Sequence, residues 1–136
     1  MYLLDTNVVS ELRRKKPHGA VVAWVQSVDD QDLYLSSVTL AEIQAGIEIT
    51  RDQDAERAAE LETWLDEVAA TYNILDLDGN TFRVWAKLMH KKSDTLYEDG
   101  MIAAIAQVNK LIVVTRNITD FESFEVKLLN PFEYKV

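Results

Sequence analysis

The chain opens on an unbroken apolar stretch, Met1-Tyr2-Leu3-Leu4, that stops at a carboxylate, Asp5. A second run, Leu111-Ile112-Val113-Val114-Thr115, is rich in β-branched residues. Continuous runs of this kind read as strands buried on both faces. Further strands are expected at Leu33-Tyr34-Leu35-Ser36, at the alternating segment Tyr72 to Leu77, and at Lys127-Leu128-Leu129, which ends at Asn130-Pro131. The segments between them repeat apolar positions at helical spacing. Thr6 to Arg13 forms a short helix, broken by Arg13-Arg14-Lys15-Lys16-Pro17-His18. Ala20 to Val25 carries a stripe at Ala20, Val21, Trp24 and Val25. Helices follow at Val38 to Thr50, Ala55 to Ala70, Asn80 to Lys91 and Thr95 to Asn109. The second of these places Ala58, Leu61, Leu65 and Val68 on one face and acids on the other, and the third turns Trp85 and Leu88 inward. Strands alternating with helices predict an α/β sandwich around a mostly parallel sheet, with right-handed crossovers.

Composition narrows the class. The 136 residues, 48% of them hydrophobic, suit a single domain from residue 1 to 136 with a real core. There is no cysteine, which excludes a disulfide framework, thiolate zinc and cysteine catalysis. No apolar run approaches the ~20 residues of a membrane span, and the N-terminus lacks the basic region of a signal peptide, so the cytoplasm is the expected location. The net charge of -9 argues against a broad DNA-coating surface. It is unevenly spread: Arg51 to Glu67 holds seven acids against two bases, a net of -5. The remaining -4 equals the charge of four carboxylates with a candidate chemical role.

Those four are Asp5, Glu42, Asp99 and Asp120. Asp5 ends the first strand, and in open α/β sheets the C-terminal strand ends border the ligand crevice; it also suits the N-cap of the following helix. Glu42 completes a capping-box pattern with Thr39. Its helical neighbours Val38, Thr39, Ala45, Gly46 and Ile49 nevertheless form a small, mostly apolar stripe, which predicts that it points into the protein and needs a partner. Thr95-Leu96-Tyr97-Glu98 reads as a second capping box, giving Glu98 a structural task. Asp99 is left on the side of Leu96, Ile102, Ala103 and Ala106, near a helix N-terminus that favours its charge. Asp120 follows the strand Leu111 to Thr115 across Arg116-Asn117-Ile118-Thr119, where turn chemistry alone accounts for Asn and Asp. Asn117 lies closer to the strand end and offers an amide oxygen. His18 and His90 show no ligand spacing. If the acids converge, the set is oxygen-only and suits a hard divalent cation, Mg²⁺ or Mn²⁺.

Five stretches in order carry a resemblance: Leu3-Leu4-Asp5-Thr6-Asn7-Val8, Leu35-Ser36-Ser37-Val38-Thr39-Leu40-Ala41-Glu42, Glu98-Asp99-Gly100-Met101-Ile102-Ala103-Ala104, Val114-Thr115-Arg116-Asn117 with Asp120-Phe121, and Leu129-Asn130-Pro131-Phe132. Together they span nearly the whole chain, which resembles the PIN-domain ribonucleases, in particular the VapC-type toxins of type II toxin–antitoxin pairs and their FitB-like branch. The resemblance implies a five-stranded, mostly parallel sheet flanked by helices, and a homodimer. It implies metal-dependent RNA cleavage at Asp5, Glu42 and Asp99, with Mg²⁺ or Mn²⁺ as cofactor. The fourth ligand is Asp120 or, where relatives carry the acid directly after Thr-Arg, falls at Asn117. Thr6, Asn7 and Thr115 become neighbours that orient ligands or water. A cognate VapB-like antitoxin is implied as partner, with promoter DNA bound only through the toxin–antitoxin complex.

Substrate contact needs cations, and the candidates for RNA are Arg13, Arg14, Lys15 and Lys16 together with Arg116; basic residues at a helix C-terminus also serve the dipole. Trp24, Trp64 and Trp85 lie on apolar stripes and are expected in the core or a dimer interface. Two other readings compete. One is a catalytically silent PIN-like interaction protein. The other is a haloacid-dehalogenase-like phosphatase, which needs a second Asp where this chain has Asn7.

Overall fold

The computed structural model describes residues 1–136. The strands are β1 (Tyr2–Leu4), β2 (Leu33–Ser36), β3 (Asn73–Leu75), β4 (Ile112–Val114) and β5 (Leu128–Leu129). The helices are α1 (Thr6–Arg13), α2 (Gly19–Gln26), α3 (Ser37–Arg51), α4 (Ala55–Thr71), α5 (Gly79–Met89), α6 (Tyr97–Asn109) and the short α7 (Ile118–Phe121). The sheet runs β3-β2-β1-β4-β5, and every pairing is parallel. Tyr2, Leu3 and Leu4 pair with Leu33, Tyr34 and Leu35 on one side and with Ile112, Val113 and Val114 on the other.

The chain builds outward from β1 to β2 and β3, then returns to the opposite side of β1 for β4 and β5. The reversal lies between β1 and β4. Connections leave these two strands in opposite directions, so their C-terminal ends open a crevice.

The pleat sends successive side chains to opposite faces, and both faces are covered. Leu3 and Val113 join Ile102, Ile105, Phe121 and Phe124 under α6 and α7. Leu4, Leu35 and Val114 join Val8, Val21 and Trp24 under α1 and α2. Leu3 and Leu4 are both fully buried, worth about 1.5–3 kcal/mol each. A smaller cluster of Ile47, Ala58 and Leu65 ties α3 to α4 as a hairpin. No helix is long and apolar enough to cross a membrane.

Several boundaries differ from the sequence reading, each for a local reason. The segment expected as a strand from Tyr72 to Leu77 pairs only over Asn73–Leu75, because Asp78 is already committed to capping α5, accepting from the Thr81 N–H at 2.8 Å. α3 begins at Ser37 under a Ser36 cap whose hydroxyl accepts from the Thr39 N–H at 3.1 Å, so Thr39 is inside the helix and forms no capping box with Glu42. α6 begins at Tyr97 after a 3₁₀ turn at Asp94–Leu96 capped by Ser93, so the Thr95–Glu98 box is not formed either. α7 is too short to leave a periodic signal; fully buried Phe121 and Phe124 anchor it and the turn that follows.

Candidate functional site

Asp5 stands at the reversal point, where β1 ends beside β4. Its backbone N–H donates to the Val114 carbonyl at 2.9 Å, which extends the parallel ladder by one residue and fixes where the side chain begins. The carboxylate is 5% exposed and fully engaged. Oδ1 caps α1 by accepting from the Thr6 N–H at 2.8 Å. Oδ2 accepts from the Thr115 hydroxyl at 2.8 Å and from the Asn7 amide at 3.0 Å. The capping role and the site role thus use different oxygens.

Around Asp5 a polar frame ties four segments together. Asn7 Nδ2 also reaches Thr115 Oγ1 at 3.2 Å, and Asn7 Oδ1 accepts from the Arg116 N–H at 3.1 Å. The Asn117 N–H donates to Thr115 Oγ1 at 2.9 Å. On the other side, the Thr6 hydroxyl lies 3.1 Å from both Glu42 Oε1 and Thr39 Oγ1. Thr39 is held in turn by Ser36, the last residue of β2. The strand ends thereby set Asp5 directly and Glu42 through Thr6. No buried side-chain polar atom is left without a partner.

The electrostatics show what the frame does not neutralise. None of the four ion pairs of the protein includes Asp5, Glu42, Asp99 or Asp120. Burial raises the Asp5 carboxyl above the usual range, against the hydrogen bonds from Thr115, Thr6 and Asn7, and the Asp120 charge adds to the rise. Burial also raises Glu42, opposed by Thr6 and assisted by the charges of Asp5 and Glu98. Asp99, in the first turn of α6, is pushed up to about 7 by burial and by the charges of Asp5, Asp120, Glu42 and Glu98. Four carboxylates felt at one position, with no cation among them, mark a region that stabilises positive charge.

Two expectations are corrected here. Glu42 stands at the mouth of the crevice rather than in the body of the protein: Val38 and Thr39 are buried, Ala41, Ala45, Gly46 and Ile49 face solvent, and Glu42 is exposed along its stem while Thr6 holds its carboxylate at the crevice. Glu98, assigned to a cap from the sequence, makes no such cap and faces the same charge cluster as Glu42 and Asp99; its place directly before Asp99 was the available signal. Asp120 lies exposed on α7, and neither it nor Asp99 makes a side-chain hydrogen bond. Asn117 contributes its backbone N–H to the frame, while its side chain is exposed. No three of the carboxylates converge tightly enough, as they stand, to enclose an ion. The donor set still fits a hard cation: it is all oxygen and uncompensated, and no hydrogen bond or ion pair occupies the Asp99 or Asp120 carboxylate.

The candidate cations flank the crevice. Arg13, Arg14, Lys15 and Lys16 are exposed at the end of α1, with Arg14 paired to buried Glu11 at 3.3 Å. Arg116 lies on the far side, its guanidinium 4.6 Å over the Phe132 ring. Trp24 is in the core, as expected; Trp64 and Trp85 are half-buried.

Residues 2–126 match the family model described as PIN domain. The chain is 35% identical over 140 residues to the VapC ribonuclease Y4jK of Sinorhizobium fredii, covering 98% of this chain and 99% of that protein. It is 34% identical over 139 residues to the Toxin FitB of Neisseria gonorrhoeae, covering 97% and 99%. The crystal structure of FitAcB from the same organism superposes with a TM-score of 0.86 at 33% identity, covering 98% of this chain and 99% of that one.

Proposed function

The chain belongs to the PIN-domain family, and on that premise we propose that it is a metal-dependent endoribonuclease acting as the toxin of a VapBC-type toxin–antitoxin pair. The observation that carries the reading is the uncompensated carboxylate set around Asp5 at the reversal point of a parallel sheet. Asp5 and Asp99 would hold Mg²⁺ or Mn²⁺, with Glu42 and Asp120 completing the shell directly or through water. Bound there, the ion supplies an activated water and stabilises charge on the phosphodiester in the transition state.

The chain's own residues do the positioning. Thr115 and Asn7 lock the Asp5 carboxylate in one orientation, and Thr6 steers Glu42 toward the same crevice. Orienting partners of this kind commonly govern ligand affinity. The α6 N-terminus favours a charged Asp99 once a cation is present. Asn117 lies just before α7 and Asp120 on it, a few residues after β4, and Asp120 is the acid there. Arg13 to Lys16 and Arg116 supply the positive charge that an RNA backbone requires.

A cognate VapB-like antitoxin that presents Arg or Lys to this crevice would be held by the same carboxylates, and promoter DNA would be reached through that complex. The protein is expected to work as a homodimer. A phosphatase reading loses its support at Asn7, whose amide is pinned to Asp5, Thr115 and Arg116 and supplies no second acid.

The test is direct. Purified chain freed of antitoxin cleaves RNA with Mg²⁺ or Mn²⁺ and stops with EDTA, and Asp5→Ala abolishes cleavage while the fold persists. A folded wild-type chain that cuts no RNA with either ion leaves the silent interaction protein as the surviving reading.

A further inference from the structure

The crevice does not end at Glu42. A cleft runs from Thr6 and Glu42 between α1, α3 and α4, lined further by Arg13, Gly46, Leu61 and Trp64. Its volume is about 280 Å³, close to the lower bound of roughly 300 Å³ for ligand clefts. That is room for one nucleotide and far too little for a duplex. Trp64 is half-buried, with the Arg13 guanidinium 5.9 Å from its ring centroid. Arg13 makes no ion pair, so its fork remains free for an anion. Beyond Arg13 the surface continues past Arg14, Lys15 and Arg57. The last is paired with Glu60, which shares that surface, at 3.2 Å. Arg14 is likewise paired, with Glu11 at 3.3 Å, so Arg13 and Lys15 carry the unpaired charge of this short cationic track, which begins at an acid of the site.

We propose that this cleft seats the second nucleotide from the scissile phosphate of a single-stranded RNA, beyond the one that flanks the cut, with Arg13 taking its phosphate and the Trp64 indole its base. The assignment rests on the ribonuclease reading above. Aromatic–base stacking beside a cationic track is how single strands are gripped without a sequence code. A polynucleotide gains from it, whereas a dinucleotide too short to reach it does not.

Gly46 offers the cleanest test. A Cβ there meets nothing within 4 Å, and mid-helix glycine is a poor helix former, so side chains are tolerated. Gly46→Phe would narrow the cleft one helical turn beyond Glu42, and the dinucleotide rate reports any disturbance of that acid separately. The measurement is kcat/KM with Mn²⁺ for a ten-nucleotide single-stranded RNA relative to a ribodinucleotide. We expect Gly46→Phe to reduce that ratio about 10-fold or more, through KM for the oligomer. Arg13→Gln is the second variant. It should raise the oligomer KM and flatten its dependence on log salt by about 0.7, the contribution of one phosphate contact to a single strand. Ratios and salt slope equal to wild type in folded variants overturn the proposal, including the outcome in which the cleft proves to hold only a protein partner. A wild-type chain that cleaves neither RNA refutes the ribonuclease reading itself, a separate result.

Discussion

Replacing Asp99 by Asn should make the metal-free protein more stable and the enzyme dead. Asp99 titrates at about 7 in the fold against 3.8 for an ordinary aspartate, because burial and then the charges of Asp5, Asp120, Glu42 and Glu98 disfavour its ionisation. A carboxyl whose folded pKa is raised subtracts stability as it ionises. The loss therefore begins as pH climbs through about 4 and is complete above about 7. At 1.36 kcal/mol for each unit, the unscreened penalty is on the order of 4 kcal/mol. Asp99 is only half-buried, so solvent screening reduces this to about 2 kcal/mol. For a domain of this size that is roughly 5–10 °C in melting temperature. Asn keeps the shape and removes the charge. In EDTA at about pH 8, Asp99→Asn should melt above wild type by that margin, and the margin should shrink as pH falls through the range between the two pKa values, closing only below about pH 4, where Asp99 is protonated in the unfolded chain as well. Adding Mg²⁺ should raise wild type and leave the variant unmoved, and RNA cleavage should vanish. A folded Asp99→Asn that melts at or below wild type at the higher pH in EDTA would show that Asp99 bears no such repulsion, and the argument for a cation there would fail with it.

Other consequences are simpler. Thr115→Val removes the hydroxyl that donates to Asp5 and accepts from Asn117. It should weaken Mn²⁺ binding about 10–100-fold in a calorimetric titration and cost about 1–3 kcal/mol in denaturant unfolding; unchanged affinity would deny Thr115 its orienting role. Gly100→Ala should cost about 1–3 kcal/mol by overpacking, because the new Cβ would meet Met89 Sδ at 2.6 Å and Trp85 Cδ1 at 3.3 Å; a urea midpoint equal to wild type would mean that α5 and α6 yield more easily than their packing implies. Ser36→Ala should destabilise by about 1 kcal/mol through loss of the α3 cap. Because Ser36 also holds Thr39, it should lower cleavage further than an equally destabilising surface mutation, and equal losses would contradict that link.

The strands could be read from the sequence because a parallel sheet buried on both faces needs continuous apolar runs, and Leu111 to Thr115 and Tyr2 to Leu4 have them. Asp5 stands out in the sequence as the acid that ends an apolar strand, and Asp99 as an acid on the helix side of Leu96, Ile102, Ala103 and Ala106. Glu42 is a candidate by its residue type on a helix beside a strand, but its stripe of small residues predicts an inward face, whereas Ala45, Gly46 and Ile49 face solvent. Helical periodicity identifies a face without saying which way it turns, and small residues leave that choice to the rest of the fold. The frame around Asp5 was legible only as a list of neighbours. Thr115 meets Asp5 across 110 residues of chain, and nothing local in Val114-Thr115-Arg116 specifies that its hydroxyl donates rather than accepts. Short elements such as α7 escaped because four residues are one turn of helix.

The contrast between Asp5 and Glu11 shows why burial alone does not identify a working carboxylate. Both are acids on or beside α1, 5% and 7% exposed. Glu11 receives the His18 N–H at 2.9 Å and the Arg14 guanidinium at 3.3 Å, and its carboxyl is held below the usual range, first by the His18 bond. It pins the turn between α1 and α2, and its contribution is present at neutral pH and lost on acidification. Asp5 receives three donors, all neutral, and its carboxyl is raised. A fold that merely needed to bury Asp5 would have placed a cation against it, as it did for Glu11. Instead it surrounds Asp5 with hydroxyls and amides that fix direction without supplying charge, and sets three more acids where their fields add. That arrangement is unfavourable until a cation arrives, which is the physical content of calling it a binding site.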